Sequence, residues 1–263
     1  MRLENAGVVV VIPTIGRKSI DEAIASARNQ TCKPQEIIVV DDSAKQEVDV
    51  KLENGERLFR TGGTKGPARA RNVGVANSFS PLIAFLDDDD LWLENHLETL
   101  LGKIKTDNLD AVYSSARVGS RIRPRKRVSG EKNPLAEIYG SIAPFSSPYF
   151  LPTPGLVVRR EVTNHISFNE LLFDREDLWF AHKIFEFGFR ISQLEEATIV
   201  VRQDSLRKTT RSDWEADRKW AERLMTIESG VARRFVLFIA LRNALLRRDF
   251  SSCIRALKWI HSN

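Results

Sequence analysis

Residues 85–92 read Phe-Leu-Asp-Asp-Asp-Asp-Leu-Trp, four carboxylates in a row between apolar neighbours. Adjacent aspartates repel one another, so such a run persists only where a cation or hydrogen-bond donors offset the charge. Oxygen ligands of this kind suit a hard divalent ion, magnesium or manganese. A solvated acidic turn is the ordinary alternative. Here, however, the run follows Pro81-Leu82-Ile83-Ala84-Phe85-Leu86 and precedes Leu91-Trp92-Leu93, so buried-type segments flank it on both sides. A second acidic pair, Glu176-Asp177, opens a helical pattern. The helix dipole there favours the ionised form, which can take the proton of a hydroxyl. A third, Asp41-Asp42, closes the apolar run 36–40.

These acids need elements to bring them together. Residues 8–12, Val-Val-Val-Val-Ile, are a continuous apolar run closed by Pro13, as expected of a strand buried on both faces. A helix is predicted over 18–30, with Ile20, Ala23, Ile24 and Ala27 on one stripe. Strands follow at 36–40 and 57–60. Gly62-Gly63-Thr64-Lys65-Gly66 reads as a flexible loop, with Pro67 suited to the first turn of a helix over 68–76. A strand at 82–86, a helix at 94–105 and a strand at 111–114 complete the first half. Strands alternating with helices predict an α/β fold, a mostly parallel sheet covered by helices on both faces. Ligands of such sheets bind at the carboxyl ends of the strands, where Pro13-Thr14, Asp41-Asp42 and residues 87–90 all fall.

The second half is less regular. Residues 117–132 are rich in arginine and lysine and read as a basic loop or exposed hairpin. A loop over 144–154 leads into a strand at 155–159. The helix opened by Glu176-Asp177 ends near Gly188, and everything from Asp213 onward looks helical. The expected organisation is a catalytic domain over 1–212, divided at 115/116 into nucleotide-binding and acceptor halves, and a helical extension over 213–263.

Of 263 residues, 42% are hydrophobic and 29% charged, with a net charge of +5. That balance fits one globular α/β domain with a small appendage. A basic surface suits phosphate-bearing ligands, anionic lipid or nucleic acid without choosing among them. Two distant cysteines, Cys32 and Cys253, make neither a metal-ligand spacing nor a disulfide framework, so a reducing compartment is expected. No leader pattern precedes the first strand, and no apolar stretch approaches the roughly 20 residues that span a bilayer. A cytoplasmic protein, peripheral at the inner face of the cell membrane, is the expectation.

Val11-Ile12-Pro13-Thr14, Val39-Val40-Asp41-Asp42-Ser43, Ala70-Arg71-Asn72-Val73-Gly74 and the run 85–92 form an ordered series. Together they resemble the bacterial family 2 glycosyltransferases of the GT-A, nucleotide-diphospho-sugar fold. The match extends over roughly 8–201. The resemblance implies transfer of one sugar, with inversion, from a nucleotide-diphospho-sugar, expected to be a UDP-sugar, to a glycan or lipid-linked glycan. It implies that Pro13, Thr14 and Asp42 lie at the nucleotide base. It also implies that Asp88 faces the ribose and Asp89 a divalent metal, with Asp87 the ambiguous first member of a "DxD". Asp177 matches the family's catalytic base, with Glu176 beside it. Arg71 matches the family's helix start, either as a ligand contact or as an ion pair to Asp41 or Asp42. Relatives often carry a His after the last strand; Val200-Val201-Arg202-Gln203-Asp204-Ser205 has none, leaving Asp204 or water to complete the coordination. Lys65 or Arg202 could assist at the diphosphate.

Rival readings fare worse. A nucleotidyltransferase needs a glycine-rich loop after the first strand, where 13–17 holds one glycine, and Gly62-Gly63-Thr64-Lys65-Gly66 lacks P-loop spacing. No zinc, RNA-recognition or helix-turn-helix pattern supports nucleic-acid binding, and the intact acids argue against a non-catalytic sugar binder. Between 231 and 260, Phe, Leu, Ile and Trp alternate with arginines and little acid offsets them. This reads as a helical hairpin packed on the domain whose basic rim faces an anionic membrane. Truncation near Ser229 is expected to abolish vesicle binding and spare donor binding.

Overall fold

The computed structural model describes residues 7–45, 47–124, 127–140, 142, 151–172, 174–202 and 213–263. Strand β1 (Val8–Thr14) is buried at every position, because β-branched side chains fill both faces of a central strand. Helix α1 (Ile20–Arg28) buries the predicted stripe Ile20, Ala23, Ile24 and Ala27. Then come β2 (Glu36–Asp41), β3 (Glu56–Arg60), α2 (Pro67–Ala76), β4 (Leu82–Phe85), the two-residue β5 (Leu91–Trp92) and α3 (His96–Thr106). The sheet order begins β3-β2-β1-β4, all parallel, which sets the ends of β1, β2 and β4 along one edge of the sheet.

Beyond β4 the sheet is mixed, where the sequence suggested mostly parallel pairing. Strand β6 (Ala111–Val118) runs longer than expected and folds back through β7 (Arg121–Arg123), so the basic segment does contain a hairpin. Helices α4 (Pro134–Gly140) and α5 (Arg160–His165) bracket β8 (Leu156–Arg159), which lies antiparallel between β4 and β6. Helix α6 (Glu176–Glu186) precedes β9 (Ile191–Val201), parallel to β6, and β5 closes the edge antiparallel to β9. The continuous apolar runs gave strand positions but not pairing direction.

Two cores result. One lies under α1 and α3 against one sheet face. The other, on the opposite face, joins α2, α4 and α6 to the C-terminal helices α7 (Trp214–Met225), α8 (Ser229–Phe235), a π-helical turn (Val236–Ala240), α9 (Leu241–Leu246) and α10 (Phe250–Ser262). Trp220, Val231, Phe235 and Ala256 are buried in that shared core. The expected packed hairpin is therefore present, and a truncation at Ser229 would also strip the core. Helix α2 lies tight on β1 because residue 74 is glycine: a Cβ there would sit 2.3 Å from Val11 Cγ1. That close approach lets Arg71 reach the acid run at the end of β4.

Candidate active site

The ends of β1 and β4 are adjacent strands, and they lock together through Asp88. Its carboxylate is buried and accepts from Thr14 Oγ1 at 2.6 Å, the Ile15 N–H at 3.3 Å and the Arg17 guanidinium. Arg17 also lies 3.6 Å from Asp89. Burial works to lower the Arg17 pKa, but Asp88 and Asp89 outweigh it and hold the guanidinium charged. Arg17 is the residue the sequence reading missed. Its position three residues beyond Thr14 becomes informative only once β1 and β4 are known to be neighbours.

Asp42 is also engaged. The Lys65 and Gly66 N–H groups each donate to it at 2.8 Å, and the Thr61 hydroxyl donates as well. The segment expected to be a flexible loop is thus a shaped turn, with Gly66 at φ 93° supplying the left-handed conformation that aims its N–H at the acid. Pro13 sits buried at the end of β1, opposite Val40.

Arg71 joins the two acidic clusters. One arm donates to Asp87 at 2.8 Å, the other to Glu176 at 2.9 Å. It is buried, with its charge centre 5.3 Å from the Phe168 ring centroid. The expected pairing with Asp41 or Asp42 does not occur; Asp41 instead lies 3.7 Å from Arg60. The helix that carries Arg71 starts at the far end of the turn held by Asp42, which points its side chain across β4 rather than back to β2. Burial opposes the Arg71 charge, but Asp87, Glu176 and Asp177 prevail and raise its pKa. Phe168 stacks on Phe180 of α6 at 4.1 Å and meets Phe85 of β4 edge-on at 5.2 Å. Asn72 pairs in both directions with the Phe168 backbone, at 2.9 Å each way. A rigid aromatic and amide link therefore fixes α6 relative to the acid run.

The four aspartates occupy different environments. Asp90 is buried, and burial together with Asp87 and Asp89 pushes its pKa up to about 8, which favours its neutral form and eases the repulsion in the run. Its Oδ1 accepts the Arg202 N–H at 3.1 Å. The Arg202 guanidinium itself pairs with Glu22, and Asp204 lies outside the described residues. Asp89 keeps 18% of its side chain exposed, and burial raises its pKa. Among the described residues no group of three or more His, Cys, Asp or Glu is arranged to hold a metal. Of the four, Asp89 is partly exposed and meets Arg17 only at 3.6 Å, whereas Asp87 and Asp88 each accept a hydrogen bond from an arginine. That fits an ion of the magnesium type, which takes one or two carboxylates and fills its shell with water and substrate phosphate.

At the start of α6, the surroundings of Asp177 work against the ionised form that the helix dipole favours. Burial and the adjacent Glu176 push its pKa up to about 7, against the Leu178 N–H and Arg71, which favour the charge. Desolvation and a neighbouring like charge exceed a partial charge at a helix end. A cleft of about 790 Å³ lies behind α2, lined by Arg69, Asn72, Phe79 and Arg160, and it includes none of these acids.

A sheet covered on both faces thus carries an acid run at the end of β4 and an acidic pair opening α6, joined through Arg71. The profile described as "Glycosyl transferase family 2" matches residues 9–167, and the chain belongs to that family. The chain is 25% identical over 209 residues to the GalNAc(5)-diNAcBac-PP-undecaprenol beta-1,3-glucosyltransferase of Campylobacter jejuni, covering 75% of this chain and 66% of that protein. It is 28% identical over 131 residues to the UDP-Glc:alpha-D-GlcNAc-diphosphoundecaprenol beta-1,3-glucosyltransferase WfgD of Escherichia coli, covering 45% and 52%. An uncharacterized glycosyltransferase of Rickettsia felis is 35% identical over 119 residues, 43% of this chain but only 20% of that protein. The fold is that of S. aureus TarS 1–349 in its UDP-GlcNAc complex, with a TM-score of 0.69 at 20% identity over 96% of this chain and 80% of that one.

Proposed function

We propose that this chain transfers a single sugar from a nucleotide-diphospho-sugar, a UDP-sugar foremost, to a hydroxyl of a lipid-linked glycan, with inversion. The observation that carries the proposal is Arg71, which ties the acid run of β4 to Glu176-Asp177 across the sheet edge. Residues 1–115 would hold the donor and 116–212 the acceptor, with 213–263 packed behind them. Pro13, Thr14 and the turn held by Asp42 would frame the base, and Asp88 the ribose. In this reading Arg71 acts by fixing Asp87 and Glu176 rather than by touching the sugar.

In the reaction, the Asp177 carboxylate takes the proton of the acceptor hydroxyl. That oxygen attacks the anomeric carbon from the face opposite the diphosphate. The bond to the phosphate oxygen breaks, and the nucleoside diphosphate leaves with the electron pair. A carboxyl poised near pH 7 suits a general base at neutral pH. A divalent ion on Asp89, magnesium or manganese, would neutralise the charge that gathers on the leaving diphosphate. The two named relatives act on undecaprenol-diphosphate-linked glycans, which supports an acceptor of that class. Nucleotide release measured across a panel of nucleotide-sugars, with and without chelator, tests the proposal. Release from one donor that needs acceptor and metal supports it, whereas inertness toward every donor speaks for the rival, a non-catalytic or nucleic-acid-binding protein.

A lipid-linked acceptor needs an enzyme at the bilayer. No helix among the described residues is long and apolar enough to cross one. The C-terminal helices instead leave Leu237, Leu245, Leu246, Phe250, Ile254 and Leu257 exposed, at 41% to 68%. Exposed Arg242 and Lys258 lie on the same helices. We propose that this face rests on the anionic inner surface of the cell membrane. Because truncation would strip the core, the test is Leu246→Glu with Phe250→Glu, both exposed. Binding to phosphatidylglycerol vesicles at low salt should weaken at least tenfold, since each buried side chain contributes about 1.5–3 kcal/mol. Donor-dependent nucleotide release should not change. Unchanged vesicle binding would leave the face without a lipid role.

A further inference from the structure

We propose that Asp217, in the C-terminal extension, is a positioning residue for the Glu176-Asp177 pair, acting through Arg175. The proposal rests on Asp177 being the catalytic base. Residue 175 immediately precedes α6 and adopts a left-handed conformation, φ 63°, which a non-glycine residue holds only where its surroundings over-determine it. Those surroundings are visible. Arg175 Nη2 donates to Asp217 Oδ1 at 2.8 Å, and Nη1 lies 3.3 Å from Asp174. The Asp217 side chain is 1% exposed and the Arg175 side chain 13%. The guanidinium carbon lies 5.1 Å from the Phe235 ring centroid and 5.7 Å from that of Trp220. Tyr139 meets both rings edge-on, at 5.3 Å and 6.5 Å.

Asp217, Trp220 and Phe235 come from the C-terminal helices, and Arg175 and Asp174 directly precede α6. The clamp therefore sets where α6 begins, and with it the direction of the two carboxylates that follow at once. It also keeps a buried positive charge neutralised. Without Asp217, the Arg175 guanidinium would lose a buried carboxylate partner and lean toward Asp174, the acid 3.3 Å away at the preceding residue. A shift of residues 174 and 175 moves the start of α6 and changes the surroundings of the Asp177 carboxylate.

The test uses the full chain carrying Asp217→Asn, an amide of the same shape, beside Arg175→Lys and the core control Ile104→Ala. Ile104 lies on the buried face of α3, against the opposite sheet face. The expected result for Asp217→Asn is a fall in kcat of about 10- to 100-fold, the scale of a small misplacement of reacting groups. The donor KM should stay within about twofold, because Asp42, Asp88 and Asp89 are untouched, and the acid limb of the pH profile should shift from its wild-type position as the surroundings of Asp177 change. Arg175→Lys keeps the charge without the planar fork and should fall in between. Ile104→Ala should lower the melting temperature without moving either quantity. Wild-type kcat and acid limb in Asp217→Asn, after scaling for folded fraction, would overturn the proposal. The two readings separate cleanly: full activity in Asp177→Asn would sink the base assignment, whereas an inactive Asp177→Asn beside a wild-type-like Asp217→Asn would sink only this one.

Discussion

Asp177→Asn is expected to bind the nucleotide-sugar as the wild type does and to lose transfer by about 10²- to 10⁴-fold, the range spanned by general-base catalysis. The amide keeps the shape of the side chain and its contact with the Leu178 N–H but cannot take a proton. The same assignment fixes the pH dependence. The Asp177 pKa is raised to about 7, so the group is protonated and inactive as a base below that pH and ionised above it. In the wild type kcat/KM should therefore climb as pH rises through about 7, and in the variant that limb should vanish. Calorimetry of donor binding beside a pH–rate profile checks both. Lost donor binding with unchanged turnover at saturation would contradict the assignment and make Glu176 the better base.

The second large effect is at Asp89. Asp89→Asn should lower metal-dependent turnover by about 100-fold or more, because in the proposed reaction its carboxylate would be the protein's chief contribution to holding ion and diphosphate together. Its melting temperature should stay close to that of the wild type, since Asp89 is partly exposed and its nearest cation, Arg17, is 3.6 Å away. Asp88 differs: it is buried, and Thr14, Ile15 and Arg17 all donate to it. Full activity of Asp89→Asn, or undiminished wild-type activity in chelator, would sink the metal assignment.

The contrast between Asp88 and Asp89 marks how far the sequence carries. The strands were legible because runs such as Val8 to Ile12 and Ile37 to Val40 are too apolar for anything but a buried element. Their carboxyl ends were legible because each run stops at polar residues. Within the run 87–90, however, four identical side chains gave no clue to which would be paired, neutral or open. That depends on Arg17, Arg71 and the Arg202 backbone, which arrive from other elements.

Arg71 shows the same limit. Its motif was readable, but its partner was not, because the partner depends on how closely α2 rests on β1, and Gly74 decides that. The Asp177 protonation followed the same logic: helix dipoles can be read from sequence, whereas the desolvation that raises its pKa cannot. The packing of the C-terminal helices against Arg175 turns on Trp220 and Phe235, whose apolar character was visible but whose destination was a matter of tertiary structure.

The most direct test of the whole account is the anomeric configuration of the product. Proton NMR of the glycan formed from an α-linked UDP-sugar and an undecaprenyl-diphosphate-linked acceptor, with magnesium or manganese present, should show one added residue in the β configuration and an equivalent of released UDP. An α-linked product, a polymer, or UDP released with free sugar regardless of acceptor would contradict single-sugar transfer by an in-line displacement with Asp177 as base.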